Sequence, residues 1–130
     1  MKNKYMARKV IVDGEQFDSK REARRWMELL RMVDTGEIKD LCRQVEYPLI
    51  PTQREPSTGV YSKGAKKGQP KPGKIIELGC SYIADFQYTR NGETVVEDVK
   101  GYRDGGAYRV FVLKRKMMLY IHGIRVKEVK

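Results

Sequence analysis

Asp85, Asp98 and Lys100 are the residues of this chain whose types and spacing could do chemistry. Between the two acids lies Asn91-Gly92, the strongest hairpin signal in the sequence, a pair suited to the positive φ angles of a type I′ turn. With those two residues at the centre of the turn, Arg90 opposes Glu93. Counted back along both strands, Asp85 then opposes Asp98 and Ile83 opposes Lys100. Side chains alternate along a strand, so Asp85, Asp98 and Lys100 project from one face. Ala84, Phe86, Tyr88, Val95 and Val99 project from the other, and so does Glu97, which is therefore not expected as a ligand. Two carboxylates directly opposite one another, with Cβ atoms about 5 Å apart, repel and need a compensating cation. Lys100 offsets part of that charge. A hard divalent ion, Mg²⁺ above all with Mn²⁺ as substitute, fits better, because it is commonly held by one or two carboxylates while keeping waters and taking phosphate oxygens.

The elements that must position these residues can be read outward from the hairpin. Residues 75–87 and 94–100 supply its strands. Upstream, residues 9–12 and 15–17 flank Asp13-Gly14 as a short first hairpin. From Ser19 the period changes. Ala23, Trp26, Met27, Leu30 and Val33 recur at helical spacing with Arg21, Arg24, Arg25, Glu28 and Arg31 on the other face, which predicts an amphipathic helix ending near Thr35-Gly36. Residues 45–50 read as a strand stopping at Pro51, and 38–42 are ambiguous. Residues 107–122 read as a second helix with Val110, Phe111, Leu113, Met117, Leu119, Tyr120 and Ile121 largely buried. Arg109, Lys114, Arg115 and Lys116 are expected to be exposed, Gly123 to end the helix, and 124–129 to form a last strand. That strand follows a helical crossover and should run parallel to the 94–100 strand. The order predicts a single mixed α/β domain over 1–130, with helices packed on a small sheet.

Composition bounds the partners. The chain has 130 residues, 27 Lys and Arg against 17 Asp and Glu, and a formal net charge of +10. At this size one hydrophobic core can form, and a multidomain enzyme is excluded. The excess positive charge favours a polyanion, nucleic acid first, because each phosphate contact releases condensed counterions. Residues 52–74 hold four Gly, three Pro and six basic residues against the single acid Glu55, so they are expected to form a basic arm without a core of its own. Lys63, Lys66, Lys67 and Lys71 of the arm, with Arg109, Lys114 and Lys116 of the second helix, are the candidate DNA contacts. No run approaches the roughly 20 apolar residues that cross a bilayer, and residues 1–9 are basic without the pattern of a cleaved leader, so a cytoplasmic protein is expected. Cys42, Cys80 and the lone His122 lack disulfide or zinc spacing. A small-molecule substrate is not expected, for there is no Gly-rich phosphate loop and no nucleophile paired with histidine.

Asp85 in Ile83-Ala84-Asp85-Phe86, followed by Asp98-Val99-Lys100 with Gly101 behind, resembles the signature of the PD-(D/E)XK nuclease superfamily. That superfamily also tends to supply a glutamate from the helix before the sheet, here Glu22 in Phe17-Asp18-Ser19-Lys20-Arg21-Glu22-Ala23-Arg24-Arg25. These segments together are similar to small phage-encoded nucleases described as Holliday junction resolvase-like, over residues 9–129, with 52–74 as a variable insertion. The resemblance implies a restriction-endonuclease-like mixed sheet flanked by two helices. It implies a Mg²⁺-dependent endodeoxyribonuclease that acts as a homodimer on branched DNA in recombination, in the cytoplasm of a bacterial host if phage-encoded. It further implies a metal held by Asp85, Asp98, the backbone carbonyl of Val99 and Glu22, with Lys100 orienting or deprotonating the attacking water and ends left as 5′-phosphate and 3′-hydroxyl.

Acid-x-Lys alone carries little information, since the chain also has it at Asp18-Ser19-Lys20, Glu37-Ile38-Lys39 and Glu128-Val129-Lys130. Only Asp98-Val99-Lys100 has a second acid opposite it on a hairpin. Glu22 has a structural alternative, because Ser19-x-x-Glu22 is a capping box. Gln44, at the start of a strand, reads as an ordinary polar strand end, with assistance to phosphate or metal as its second reading. Two other functions remain open: another nuclease of the same superfamily (nicking, end-processing or repair), and a DNA-binding protein without catalysis.

Overall fold

Ser19 turns the chain into its first helix. Its backbone is extended and its hydroxyl accepts the Glu22 N–H at 3.1 Å, meeting one of the donors a helix start leaves open. The structure is a computed structural model that describes residues 10–12 and 14–130. The first hairpin pairs β1 (Val10–Val12) with β2 (Glu15–Phe17) antiparallel, Val12 facing Glu15, as the Gly14 turn at φ 80° requires. Lys9 and Asp13 of that expectation lie outside the described residues. Helix α1 follows at Lys20–Asp34. β3 (Lys39–Ile50) is longer than expected and takes in the ambiguous 38–42 segment. Then come β4 (Gln53–Arg54), β5 (Ile75–Glu77), β6 (Cys80–Arg90), β7 (Glu93–Val99), α2 (Gly105–His122) and β8 (Val126–Val129).

The sheet is mixed, in the order β3-β6-β7-β8. β6 and β7 pair antiparallel with Arg90 facing Glu93 and Phe86 facing Glu97, which is the register that Asn91-Gly92 dictates. β8 runs parallel to β7, Val96 facing Val126 and Asp98 facing Glu128, as a helical crossover returning to its neighbour predicts.

α1 packs on the sheet face that carries Phe86 and Tyr88. Trp26 stacks on Phe86 with ring centroids 5.9 Å apart, and Phe17, Ala23, Leu29, Ile38, Phe86 and Tyr88 form the buried cluster. The buried stripe of α1 differs from the expected one. Glu22, Ala23 and Leu29 are buried, whereas Met27 and Val33 are exposed, because the stripe is rotated toward an ion pair that hydrophobicity does not reveal. Arg25 donates from Nε and Nη2 to the two oxygens of Glu97, 2.8 Å each, and the Tyr88 hydroxyl donates to the same carboxylate. Glu97 is fully buried.

α2 begins at Asp104, whose carboxylate accepts the Gly105 N–H, and ends at Gly123 in the left-handed region with φ 68°. It stands on the face from which Lys100 projects, the Lys100 Nζ lying 4.2 Å from the centre of the Phe111 ring. Within this helix only Phe111 and Met118 are buried. Val110, Leu113, Leu119, Tyr120 and Ile121, expected inside, are exposed and Met117 is half-buried, because a helix on one sheet face covers a single stripe. Lys114 and Arg115, expected outside, are half-buried.

By backbone proximity the chain divides into two units, Met1–Tyr47 with Ile83–Lys130, and Pro48–Tyr82. The second holds the basic arm, and its two limbs are paired. β4 faces β5, Glu55 N–H donates to Lys74 O at 2.8 Å, Val60 bridges Pro70, and Lys71 N–H donates to Gly59 O at 2.9 Å. A Cβ at Gly73 would meet Glu55 O at 1.7 Å, so only glycine permits that approach. No helix among the described residues is long and apolar enough to cross a membrane.

Burial alone would raise the Glu97 carboxyl, but the hydrogen bonds from Arg25 and Tyr88 and the charge of Arg25 outweigh it and hold it below its ordinary value of 4.5. A depressed carboxyl stabilises the fold above its unfolded pKa and loses that contribution as pH falls through the folded value. Arg25→Met is therefore expected to cost about 3–5 kcal/mol in urea unfolding at pH 7 by leaving a buried carboxylate unpaired. The gap from the parent chain should shrink as pH falls below about 4.5, where the unfolded chain takes up its proton and Glu97 of the folded parent follows at its lower value. A gap independent of pH would remove the ion pair as its cause.

Candidate active site

Past Phe86 and Glu97 the β6–β7 ladder gives way to a side-chain bond. Asp85 Oδ2 accepts the Val99 N–H at 2.8 Å, so the carboxylate sits against the β7 backbone between Asp98 and Lys100. Lys100 Nζ reaches Asp98 Oδ1 at 2.7 Å, its ammonium also facing the Phe111 ring. From α1, Glu22 comes to the same place. A cavity of about 780 Å³ is lined by Asp18, Ser19, Lys20, Arg21, Glu22, Gln44, Ile83, Asp85, Asp98, Val99, Lys100, Gly101 and Tyr102. The five site residues expected from the sequence, Glu22, Asp85, Asp98, Val99 and Lys100, are thus brought together in one cleft.

The capping box at its rim forms in one direction only. Ser19 receives the Glu22 N–H, but the Glu22 carboxylate turns to β3, where Oε1 accepts Gln44 Nε2 at 3.2 Å and lies 3.6 Å from Arg43 Nη2. Gln44 makes that reach from a strained backbone: it sits inside β3 at φ 50°, a left-handed conformation that a non-glycine residue rarely adopts. Arg43 is held beside it with its guanidinium 3.8 Å from the centre of the Phe17 ring, and its Nη2 donates to Gln16 O at 2.9 Å. Arg43, Arg21 and Asp18 are not among the site residues expected from the sequence. Sequence offers no signal for them, since each depends on how α1 and β3 meet.

The electrostatics are those of a site short of positive charge. Burial pushes the Asp85 carboxyl up to about 8; the charges of Asp98 and Glu22 add to the rise, and the Val99 N–H and Lys100 only partly oppose it. Burial likewise raises Glu22, helped by Asp18 and opposed by Arg43. The expected DNA contacts lie elsewhere in the chain. Arg109 and Lys116 are exposed and Lys114 half-buried on α2. Lys116 lines a second cavity of about 450 Å³ with Arg115, Leu119, Arg125, Val126 and Glu128. Lys63, Lys66, Lys67 and Lys71 are exposed in the Pro48–Tyr82 unit.

A family model described as "Protein of unknown function (DUF1064)" matches residues 2–129. The chain belongs to the DUF1064 family. No curated protein and no solved structure matches it.

In this DUF1064 chain the donors that could hold a cation are hard oxygens from three elements: Glu22 from α1, Asp85 from β6, and Asp98 with the Val99 backbone from β7. Among the described residues, no three His, Cys, Asp or Glu side chains are gathered closely enough to enclose a metal. Glu22 and Asp98 are instead engaged with Gln44, Arg43 and Lys100. The donor chemistry nonetheless fits a hard divalent cation, because carboxylate and carbonyl oxygens are the ligands such an ion takes, and burial with the nearby Asp98 and Glu22 charges leaves the Asp85 carboxyl raised.

A raised carboxyl has the opposite sign to Glu97. Asp85 favours the folded state when protonated, so in EDTA stability should fall as pH rises from its ordinary 3.8 through about 8. Asp85→Asn, which keeps an acceptor for the Val99 N–H, is expected to raise the Tm by several degrees at pH 8. The difference should close toward pH 4, read by thermal denaturation across that range. Equal or lower stability of the variant at pH 8 would refute the charge deficit.

Proposed function

We propose that this protein is a metal-dependent DNA endonuclease of the PD-(D/E)XK type, Holliday junction resolvase-like, acting as a homodimer on branched DNA with Mg²⁺ as its cation. The observation that carries this reading is the convergence of Asp85, Asp98 and Lys100 from one hairpin with Glu22 from α1 in a single cleft. The mixed sheet with β8 parallel to β7 and a helix against it is consistent with a restriction-endonuclease-like core.

On this reading Asp85, Asp98, the Val99 carbonyl and Glu22 hold the cation. When bound there, it supplies Lewis-acid activation of water and neutralises charge on the phosphate. Lys100, steadied between Asp98 and the Phe111 ring, orients the attacking water, whose proton leaves to solvent. As its ammonium, it offsets the charge that builds on phosphorus during in-line displacement. The Val99 N–H fixes the Asp85 carboxylate, and Gln44 fixes that of Glu22. The bond broken is the phosphodiester P–O3′, leaving 5′-phosphate and 3′-hydroxyl ends. Further phosphate contacts fall to Lys63, Lys66, Lys67, Lys71, Arg109, Lys114 and Lys116.

A non-catalytic DNA-binding role is the second reading, favoured by the engagement of Glu22 and Asp98 with Gln44, Arg43 and Lys100, which accounts for both carboxylates without a cation. A labelled four-way junction and a linear duplex of the same sequence, with Mg²⁺ or EDTA, separate the two. Paired symmetric nicks in the junction, lost with EDTA and in Asp98→Asn while binding persists, are expected. Cutting of both substrates alike would remove the junction preference, and binding without cutting would leave the second reading.

The arm has its own test. Replacing Lys63, Lys66, Lys67 and Lys71 together by Gln is expected to lower the slope of log K against log salt by up to about 3–4, at about 0.9 for each phosphate the arm no longer neutralises. An unchanged slope would make the arm a passive insertion.

A further inference from the structure

α1 opens with two cations, Lys20 and Arg21, in the turn where the helix dipole favours anions. Helix stability gives no reason for them. Both line the cleft, and their neighbours there include four carboxylates, Asp18, Glu22, Asp85 and Asp98. The Arg21 side chain nevertheless makes no hydrogen bond or ion pair among the described residues. Its stem is held in another way. A Cβ built on Gly101, the residue after Lys100, would lie 3.0 Å from Arg21 Cδ and 3.0 Å from Nε, so the arginine is seated on the bare backbone of that glycine. Gly101 needs no positive φ, and close approach is what its missing side chain provides. The exposed guanidinium is thus anchored at its Nε end, at the rim of the cleft and one residue from the acid-x-Lys strand, with its donors unspent.

We propose that Arg21, seated on Gly101, is the phosphate clamp of the cleft: its planar fork takes two non-bridging oxygens of a substrate phosphodiester and holds that group against Asp85, Asp98 and Lys100. Guanidinium suits this task better than ammonium because its donors match phosphate oxygens in pairs. The inference rests on the reading of the cleft as a nuclease site, but its binding component can be read without catalysis.

The test is a double-mutant cycle on the full chain with Arg21→Gln, Gly101→Ala and both together, beside Arg21→Lys. Binding of a fluorescent four-way junction is measured in EDTA over a range of KCl, and cleavage separately in Mg²⁺. Arg21→Gln is expected to weaken binding about 10- to 100-fold at low salt and to lower the salt slope by about one. Arg21→Lys should keep the slope and lose kcat/KM, since charge survives and the fork does not. Gly101→Ala should weaken binding when residue 21 is Arg and have no further effect when it is Gln. An unchanged slope in Arg21→Gln overturns the proposal, and so does a Gly101→Ala effect of the same size in both backgrounds. Failure of the parent chain to cut any DNA would defeat the nuclease reading alone, because the EDTA arm reports Arg21 independently. Arg21 is exposed, and an unaltered Tm for Arg21→Gln shows that the fold is intact.

Discussion

Arg25 and Glu97 join α1 to β7 through a two-pronged ion pair on a fully buried carboxylate, and the position of every α1 residue in the cleft follows from it. A planar fork meeting a carboxylate along both N–H bonds admits essentially one orientation. One helical turn before Arg25, Glu22 and Arg21 are thereby delivered to the rim, while Trp26 locks onto Phe86 on the next position. The same pair guards the register of β7. A slip by one residue would turn Glu97 toward the cleft and leave Asp98 facing the core, where Arg25 and Tyr88 could no longer be matched as they are.

Neighbouring acids on β7 therefore face opposite surroundings. Glu97 is buried among donors and held ionised; Asp98 shares its side of the sheet with Asp85, whose carboxyl is pushed up to about 8 by burial and by Asp98 itself. A fold seeking only stability would treat the second face like the first. Two carboxyls raised by burial within one cleft, Asp85 and Glu22, next to a strained Gln44, mark the place where stability has been given up. The strain and the charge deficit are linked, since the Gln44 amide answers Glu22, the second raised carboxyl.

Much of this is legible in the sequence where local rules act alone. Asn91-Gly92 fixes a two-residue turn, the turn fixes the register, and alternation then puts Asp85, Asp98 and Lys100 on one face; the strand pairing from Arg90–Glu93 to Phe86–Glu97 bears out that register. The parallel return of β8 follows from chain handedness. Where tertiary context decides, sequence is silent or misleading. Apolar residues all round α2 suggest burial all round, yet the sheet has one face to offer it. Arg25 reads as surface because its partner lies on a strand distant in sequence. The basic arm reads as unstructured by composition, but backbone pairing such as Glu55 to Lys74 needs no apolar residues.

Charge is distributed unevenly in a way that bears on how a polyanion would be handled. The chain carries +10, yet the cleft is lined by four carboxylates and three cations, one of which, Lys100, is already paired to Asp98. The positive surplus therefore resides on other surfaces, where it can capture a phosphate backbone without selecting any one phosphate. On the nuclease reading, capture and chemistry are then separate tasks. A phosphodiester entering the cleft meets no surplus of positive charge, so general attraction cannot seat it. Seating falls to donors aimed at single oxygens and to a cation that cancels the carboxylates. On that reading the donors begin the seating without the cation, and the cation completes it by cancelling the carboxylates, so that cutting would depend on the metal and binding would not.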